Sequence, residues 1–268
     1  GGVVEGGLPL AAIKLGGDDG SELEAFQALV RHLGARGIPI VCYNFMAGTD
    51  WIRTTVDAPE RGGALVTGFR LTDVEKARIP GRDPYGEEGL ERGADRTGLW
   101  KALEGFLTEI VPVAEEAGVV LAMHPDDPPL PHLLGNDRIM YDVDAFERLV
   151  NLVPSPSNAI AFCQGTFSEM GIDIPATIRR LGRHIAYVHF RDVRGTAEDF
   201  VETWQDNGQT DMVEAMRAYR EMGFTGPMRP DHVPQMDGEQ GTPGYTMLGR
   251  LYAYGYIRGL IQATESGP

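Results

Sequence analysis

The chain has 268 residues, 42% of them hydrophobic, which suits one large α/β domain with a sizeable core. A formal net charge of −15 argues against nucleic acid and anionic membrane as partners, and it makes an anionic ligand depend on a local metal ion or on arginines. No apolar run approaches the roughly 18–20 residues of a membrane span, and no signal-like segment opens the chain. The two cysteines, Cys42 and Cys163, each sit in an apolar run, so a disulfide framework is not expected and a reducing, cytoplasmic compartment is.

The opening "GGVVEGGLPL" reads as a strand, 3–5, cut close to its start. "ELEAFQALVRHLGARG" (22–37) has helical spacing and a glycine stop, and "IPIVCYNF" (38–45) is the next strand. The segment 56–95 is rich in Gly, Pro and charge, and reads as a loop or lid with one short strand at 64–70. A long amphipathic helix (95–118) leads into "VVLAMHP". Helix–strand pairs then repeat: 142–153 before "AIAFCQG", 173–182 before "IAYVHFRD", 211–223 before "GPMRPDH". A closing helix spans 244–264.

Strands that are apolar throughout, alternating with helices, predict a parallel sheet covered by helices. No phosphate-binding glycine motif follows any strand. Residues of chemical interest gather instead at C-terminal strand ends, the pattern of a (β/α)8 TIM barrel. Six strands are legible where a closed barrel has eight. The expectation is a single domain over 1–268 that lacks the first two βα units, with a gap in the wall or a partner filling it.

Four strand endings carry His124, Cys163, His189 and Asp231. Taken singly, Cys163 reads as a small core residue, each histidine as a satisfied interior one, and Asp231 as a cap. Together, two imidazoles, a thiolate and a carboxylate on four successive strands form a ligand set for a borderline divalent cation. Near the same face lie Asn44, Trp51, Arg53, Arg138, Arg191 and Tyr245. The arginines are candidates to grip a carboxylate. Asp126 and Asp127 read as solvated or turn-forming.

"VCYNFM…DWIRTT", "MHPDDPP", "FCQGTFSE", "VHFRDV", "MRPDH" and "PGYTMLGRLYAYGYIRGL" resemble the mannonate dehydratases of the xylose-isomerase-like barrel superfamily. The resemblance runs from about residue 3 to the end and is densest from 119. It implies dehydration of D-mannonate to 2-keto-3-deoxy-D-gluconate in hexuronate breakdown. It also implies a divalent metal, usually Mn2+ (with Fe2+, Co2+ and Zn2+ compatible), at positions matching His124, Cys163, His189 and Asp231. His232 and Tyr245 match the family's acid/base pair, and a small sugar acid is the expected partner. Homo-oligomerisation is left open.

The chain departs from the family pattern at Val201, Gln205 and Leu10, where histidines are common, and in a shortened insertion after the DWIRT motif. Two alternatives follow. One is a sugar isomerase or epimerase on the same barrel, against which the cysteine in the ligand set argues. The other is a sugar-acid binding protein without turnover.

Overall fold

The six apolar runs become the six strands of one parallel sheet. The computed structural model describes residues 2–77 and 93–265. Its elements in chain order are β1 (Val3–Glu5), α1 (Ala11–Lys14), α2 (Ser21–Ala35), β2 (Ile40–Tyr43), β3 (Thr55–Pro59), β4 (Leu65–Arg70), α3 (Arg96–Ala117), β5 (Val120–Met123), β6 (His132–Leu133), β7 (Asn136–Asp137), α4 (Val143–Leu152), β8 (Asn158–Cys163), α5 (Gln164–Glu169), α6 (Ile174–Leu181), β9 (Ile185–His189), β10 (Val193–Thr196), β11 (Asp199–Glu202), α7 (Met212–Glu221), β12 (Met228–Arg229) and α8 (Met247–Glu265).

The sheet order is β1-β2-β5-β8-β9-β12, and every pairing is parallel. β1 and β12 are its edges, yet Glu5 on β1 lies 2.9 Å from Arg229 on β12. Side chains of two edge strands meet only if the sheet curls, so this is the curved wall of a barrel. Among the described residues no further parallel strand joins the two edges, and the wall stays open between them.

Strand side chains alternate between faces. Val41, Tyr43, Leu121, Met123, Ile160, Phe162 and Val188 point outward into the large cluster shared with the helices. Ile40, Cys42, Ala122, Ala161 and Tyr187 point inward and form a separate small cluster. The inner residues are mostly small because the concave side of a curled sheet is narrow. The helices are fixed at their starts by aspartates. Asp95, Asp142, Asp173 and Asp211 each accept a hydrogen bond from a first-turn backbone N–H of α3, α4, α6 and α7, a cap worth about 1 kcal/mol each.

The segment after β2 departs from the expected loop. The anticipated strand at 64–70 is β4, but it belongs to a second, antiparallel sheet of order β10-β11-β4-β3. Ile52, Phe69, Leu130, Leu133, Val193 and Phe200 give this sheet its own apolar cluster. Residues 78–92 of the expected lid lie outside the described residues. No helix among the described residues is long and apolar enough to cross a membrane.

Candidate metal centre and active site

The inward alternation carries directly into the chemistry. Two residues beyond inward Ala122, Ala161 and Tyr187 stand His124, Cys163 and His189, and Asp231 stands just past β12. Cys163 is beside His189 in register, and His189 beside Arg229. One ligand atom from each of His124, Cys163, His189 and Asp231 lies within 4.8 Å of the others. Cys163, His189 and Asp231 are buried, and His124 is half-buried.

His124 Nδ1 is 2.7 Å from the Pro125 carbonyl. A carbonyl only accepts, so Nδ1 carries the proton and Nε2 keeps the lone pair a metal needs. Both ring nitrogens of buried His189 lack a hydrogen bond, although Nε2 is 3.2 Å from Glu5 and Nδ1 3.5 Å from Asp231. Burial opposes charge on that ring, but Asp231 and Glu5 push it up to about 10. Burial also opposes the Cys163 thiolate, yet Arg191, His124 and His189 hold the thiol well below its ordinary range. Burial raises Asp231, and His189, His232, Arg229 and Arg191 outweigh it, so the carboxyl sits well below its usual value. A bound cation would hold all four groups in ligating form. An orphaned buried imidazole and an N2SO donor set fit a borderline divalent metal.

His124, His189 and Asp231 line a cavity of about 560 Å³, together with His232, Tyr245, Trp51 and Asn44. That volume suits a small-molecule ligand. The chain turns after β12, so His232 faces the same space as Asp231. Its Nε2 lies 2.9 Å from the Tyr245 hydroxyl, and its ring centroid 4.7 Å from that of Trp51. Burial pushes the Tyr245 phenol well above its ordinary range, with Asp231 adding to the rise, so it stays protonated.

The arginines are placed differently from the sequence expectation. Arg53, Arg138 and Arg191 are at most 2% exposed and do not line the cavity. Arg53 pairs with Asp127 and Glu202, both at 2.6 Å. Arg191 pairs with Asp127, Glu169, Glu202 and Asp231 at 2.9–3.3 Å. Arg138 donates to Thr49 at 2.8 Å and lies 3.9 Å from Asp126. Their hydrogen-bonding forks are turned into the protein, because the buried acids beneath the site need compensating charge. Gly165, directly after the strand-end Cys163-Gln164, leaves room for Arg191; a side chain there would collide with the guanidinium. Asp126 and Asp127 are correspondingly not solvated. Asp126 accepts from the Ile139 and Met140 N–H groups, and Asp127 holds both Arg53 and Arg191.

Among the described residues, the lysine and arginine side chains that line the cavity are Lys14 and Arg229. Arg229 is held by Glu5 at 2.9 Å and Asp231 at 2.7 Å. Lys14 donates to Asn44 Oδ1 at 2.8 Å. The dense cavity wall around Lys14 lowers it to about 8 against the pull of Asp50 and Asp126. Sequence reasoning missed Lys14, Glu5, Arg229 and Glu202, and read Asp127 as solvated or turn-forming. Glu5 and Arg229 were within its reach, since they obey the same strand-end alternation. Lys14 sits on one turn of helix that no periodicity reveals. Leu10 lines the cavity, Gln205 Nε2 contacts the His232 carbonyl at 3.5 Å, and Val201 pairs within the antiparallel sheet.

The chain is similar to known proteins over most of its length. The D-mannonate dehydratase (UxuA) family model matches residues 2–267. Mannonate dehydratase 1 of Halalkalibacterium halodurans is 32% identical over 270 residues, covering 91% of this chain and 74% of that protein. The mannonate dehydratase of Oceanobacillus iheyensis is 34% identical over 274 residues, covering 95% and 78%. The crystal structure of mannonate dehydratase from Streptococcus suis serotype 2 superposes with a TM-score of 0.87 at 34% identity, covering 98% of this chain and 77% of that one. A xylose isomerase-like TIM barrel protein from Mycobacterium smegmatis, in complex with magnesium, superposes with a TM-score of 0.62 at 12% identity, which shows the barrel fold alone. The chain belongs to the mannonate dehydratase family, enzymes that dehydrate D-mannonate.

Proposed function

We propose that His124, Cys163, His189 and Asp231 hold one divalent metal, Mn2+ by preference, and that His232 and Tyr245 carry the proton transfers of D-mannonate dehydration to 2-keto-3-deoxy-D-gluconate. The observation that carries this reading is the convergence within 4.8 Å of four strand-end groups of ligand type, three of which, His124, His189 and Asp231, line the cavity that His232 and Tyr245 face. Bound there, the metal supplies positive charge that stabilises the anion developing at the substrate carboxylate as the C2 proton leaves. The electron pair of the C2–H bond forms a C2–C3 double bond, and the C3–O bond breaks. The departing hydroxyl takes a proton and leaves as water, and the enol at C2 becomes the ketone.

His232 and Tyr245 are 2.9 Å apart and able to exchange a proton, which suits a pair that must remove one proton and deliver another. Trp51 packs on His232 and limits the ring's movement. The substrate's own charge needs a cation. Since Arg53 and Arg191 are committed to buried acids and Arg138 does not line the cavity, Lys14 with Asn44 takes that role. Two unpaired buried cysteines fit a reducing, cytoplasmic setting. The test is an assay for 2-keto-3-deoxy acid released from D-mannonate. Chelation should abolish release and Mn2+ restore it; a ketose product, or no product with metal present, would overturn the reading.

A further inference from the structure

His232 is gripped from behind by a residue that never reaches the cavity. Glu202 ends β11 in the antiparallel sheet, is 1% exposed, and is absent from the cavity wall. Its Oε1 lies 2.7 Å from His232 Nδ1 and 2.6 Å from Arg53 Nη2. Arg191 Nη1 approaches its two oxygens at 3.1 and 3.0 Å. Arg53 Nη2 is itself 3.1 Å from His232 Nδ1. The ring's other nitrogen faces Tyr245.

These distances decide where the imidazole proton sits. A carboxylate oxygen only accepts, so a 2.7 Å contact to a bare ring nitrogen would set lone pair against lone pair. Nδ1 therefore carries a hydrogen; in the neutral ring Nε2 then keeps its lone pair, and the Tyr245 hydroxyl donates to it. Arg53 acts in the opposite sense. A guanidinium only donates, and if Glu202 were neutral Arg53 would hydrogen-bond to bare Nδ1 and favour the tautomer with its proton on Nε2. In that tautomer Nε2 has no lone pair to offer.

We infer that Glu202 is a positioning residue, which holds His232 in the Nδ1–H tautomer against the competing pull of Arg53 and so keeps Nε2 open toward Tyr245 and the cavity. This rests on the proposed role of His232 in proton transfer. It also accounts for what the antiparallel sheet contributes to the site. Held between β10 and β4, β11 delivers one carboxylate to the back of the active-site ring.

The test is 15N-histidine NMR on the full chain loaded with diamagnetic Zn2+, paired with steady-state kinetics. In the wild type, the His232 signals, assigned by their loss in His232→Gln, should show a protonated Nδ1 and a bare Nε2. In Glu202→Gln the two should exchange. That variant should lose kcat by about 10²–10⁴-fold, as wrong-tautomer variants do elsewhere, with KM and metal content near wild type. An Nε2–H tautomer in the wild type overturns the inference even if Glu202→Gln does not fold. So does an unchanged tautomer in Glu202→Gln, or a kcat loss that only tracks lost metal. Failure of the parent reading looks different: His232→Gln would keep full kcat while the wild-type tautomer remained Nδ1–H.

Discussion

Two groups of buried polar residues lie side by side under the cavity, and they differ in one respect. The cluster of His124, Cys163, His189 and Asp231 brings donor atoms together and leaves both nitrogens of His189 without a hydrogen bond. The neighbouring network of Arg53, Arg191, Asp127, Glu202 and Glu169 brings its own cations to its own anions. Asp231 belongs to both, through His189 on one side and Arg191 on the other. Residue type alone does not separate ligand from strut. Pairing of charge does: the network's guanidinium groups and carboxylates are held by one another, whereas the cluster sets ligand-type atoms against one another and leaves His189 without a hydrogen bond.

The largest effect should follow from breaking the open cluster. His124→Ala or Cys163→Ser should cut kcat by about 10³-fold or more through lost metal, with several kcal/mol of charge stabilisation forfeited. The fold should survive, as checked by circular dichroism alongside metal analysis. A large stability loss with metal retained would place Cys163 with the core instead.

Breaking the closed network should act on stability. Arg191→Met takes the cation from Glu169 and leaves Asp127 and Glu202 to Arg53 alone, and should cost about 3–5 kcal/mol in urea unfolding. If stability is unchanged and KM rises, Arg191 grips substrate after all and the distinction between the two groups collapses.

Much of this division was hidden from the sequence, and the reason is physical. All six parallel strands were legible because each is a short apolar run, and the clustering of His124, Cys163, His189 and Asp231 because the run stops in residues that a core does not need. The antiparallel sheet was largely not legible. β11 pairs with β4 across more than a hundred residues, as in Val201 beside Gly68, and local pattern carries no trace of such a partner. Glu202 was missed with it. The arginines were placed at the right face and given the wrong direction, because a strand-end position fixes the backbone and leaves a long side chain free to turn inward.

Smaller effects come from the cavity wall. Lys14→Met should raise KM for D-mannonate by at least about tenfold, for a lost charge-assisted contact of about 1.5–3 kcal/mol, with kcat and stability little changed. Equal KM values would remove Lys14 from the substrate site. A still subtler signature is pH. Burial lowers Lys14 to about 8, so its positive charge is present below that pH and lost above it. KM should climb as pH rises through about 8 in the wild type, and should stay flat in Lys14→Arg, which remains charged. Parallel profiles for the two proteins would assign the change to another group.

The central claim, that the open cluster is a metal site with a thiolate ligand, is tested most directly by Co2+ titration of the metal-free protein followed by absorbance. One equivalent should bind, with a sulfur-to-cobalt charge-transfer band in the near ultraviolet that is missing in Cys163→Ser. Saturation at one equivalent with that band present only when Cys163 is intact is the predicted result. No stoichiometric binding, or an identical spectrum in Cys163→Ser, would contradict it.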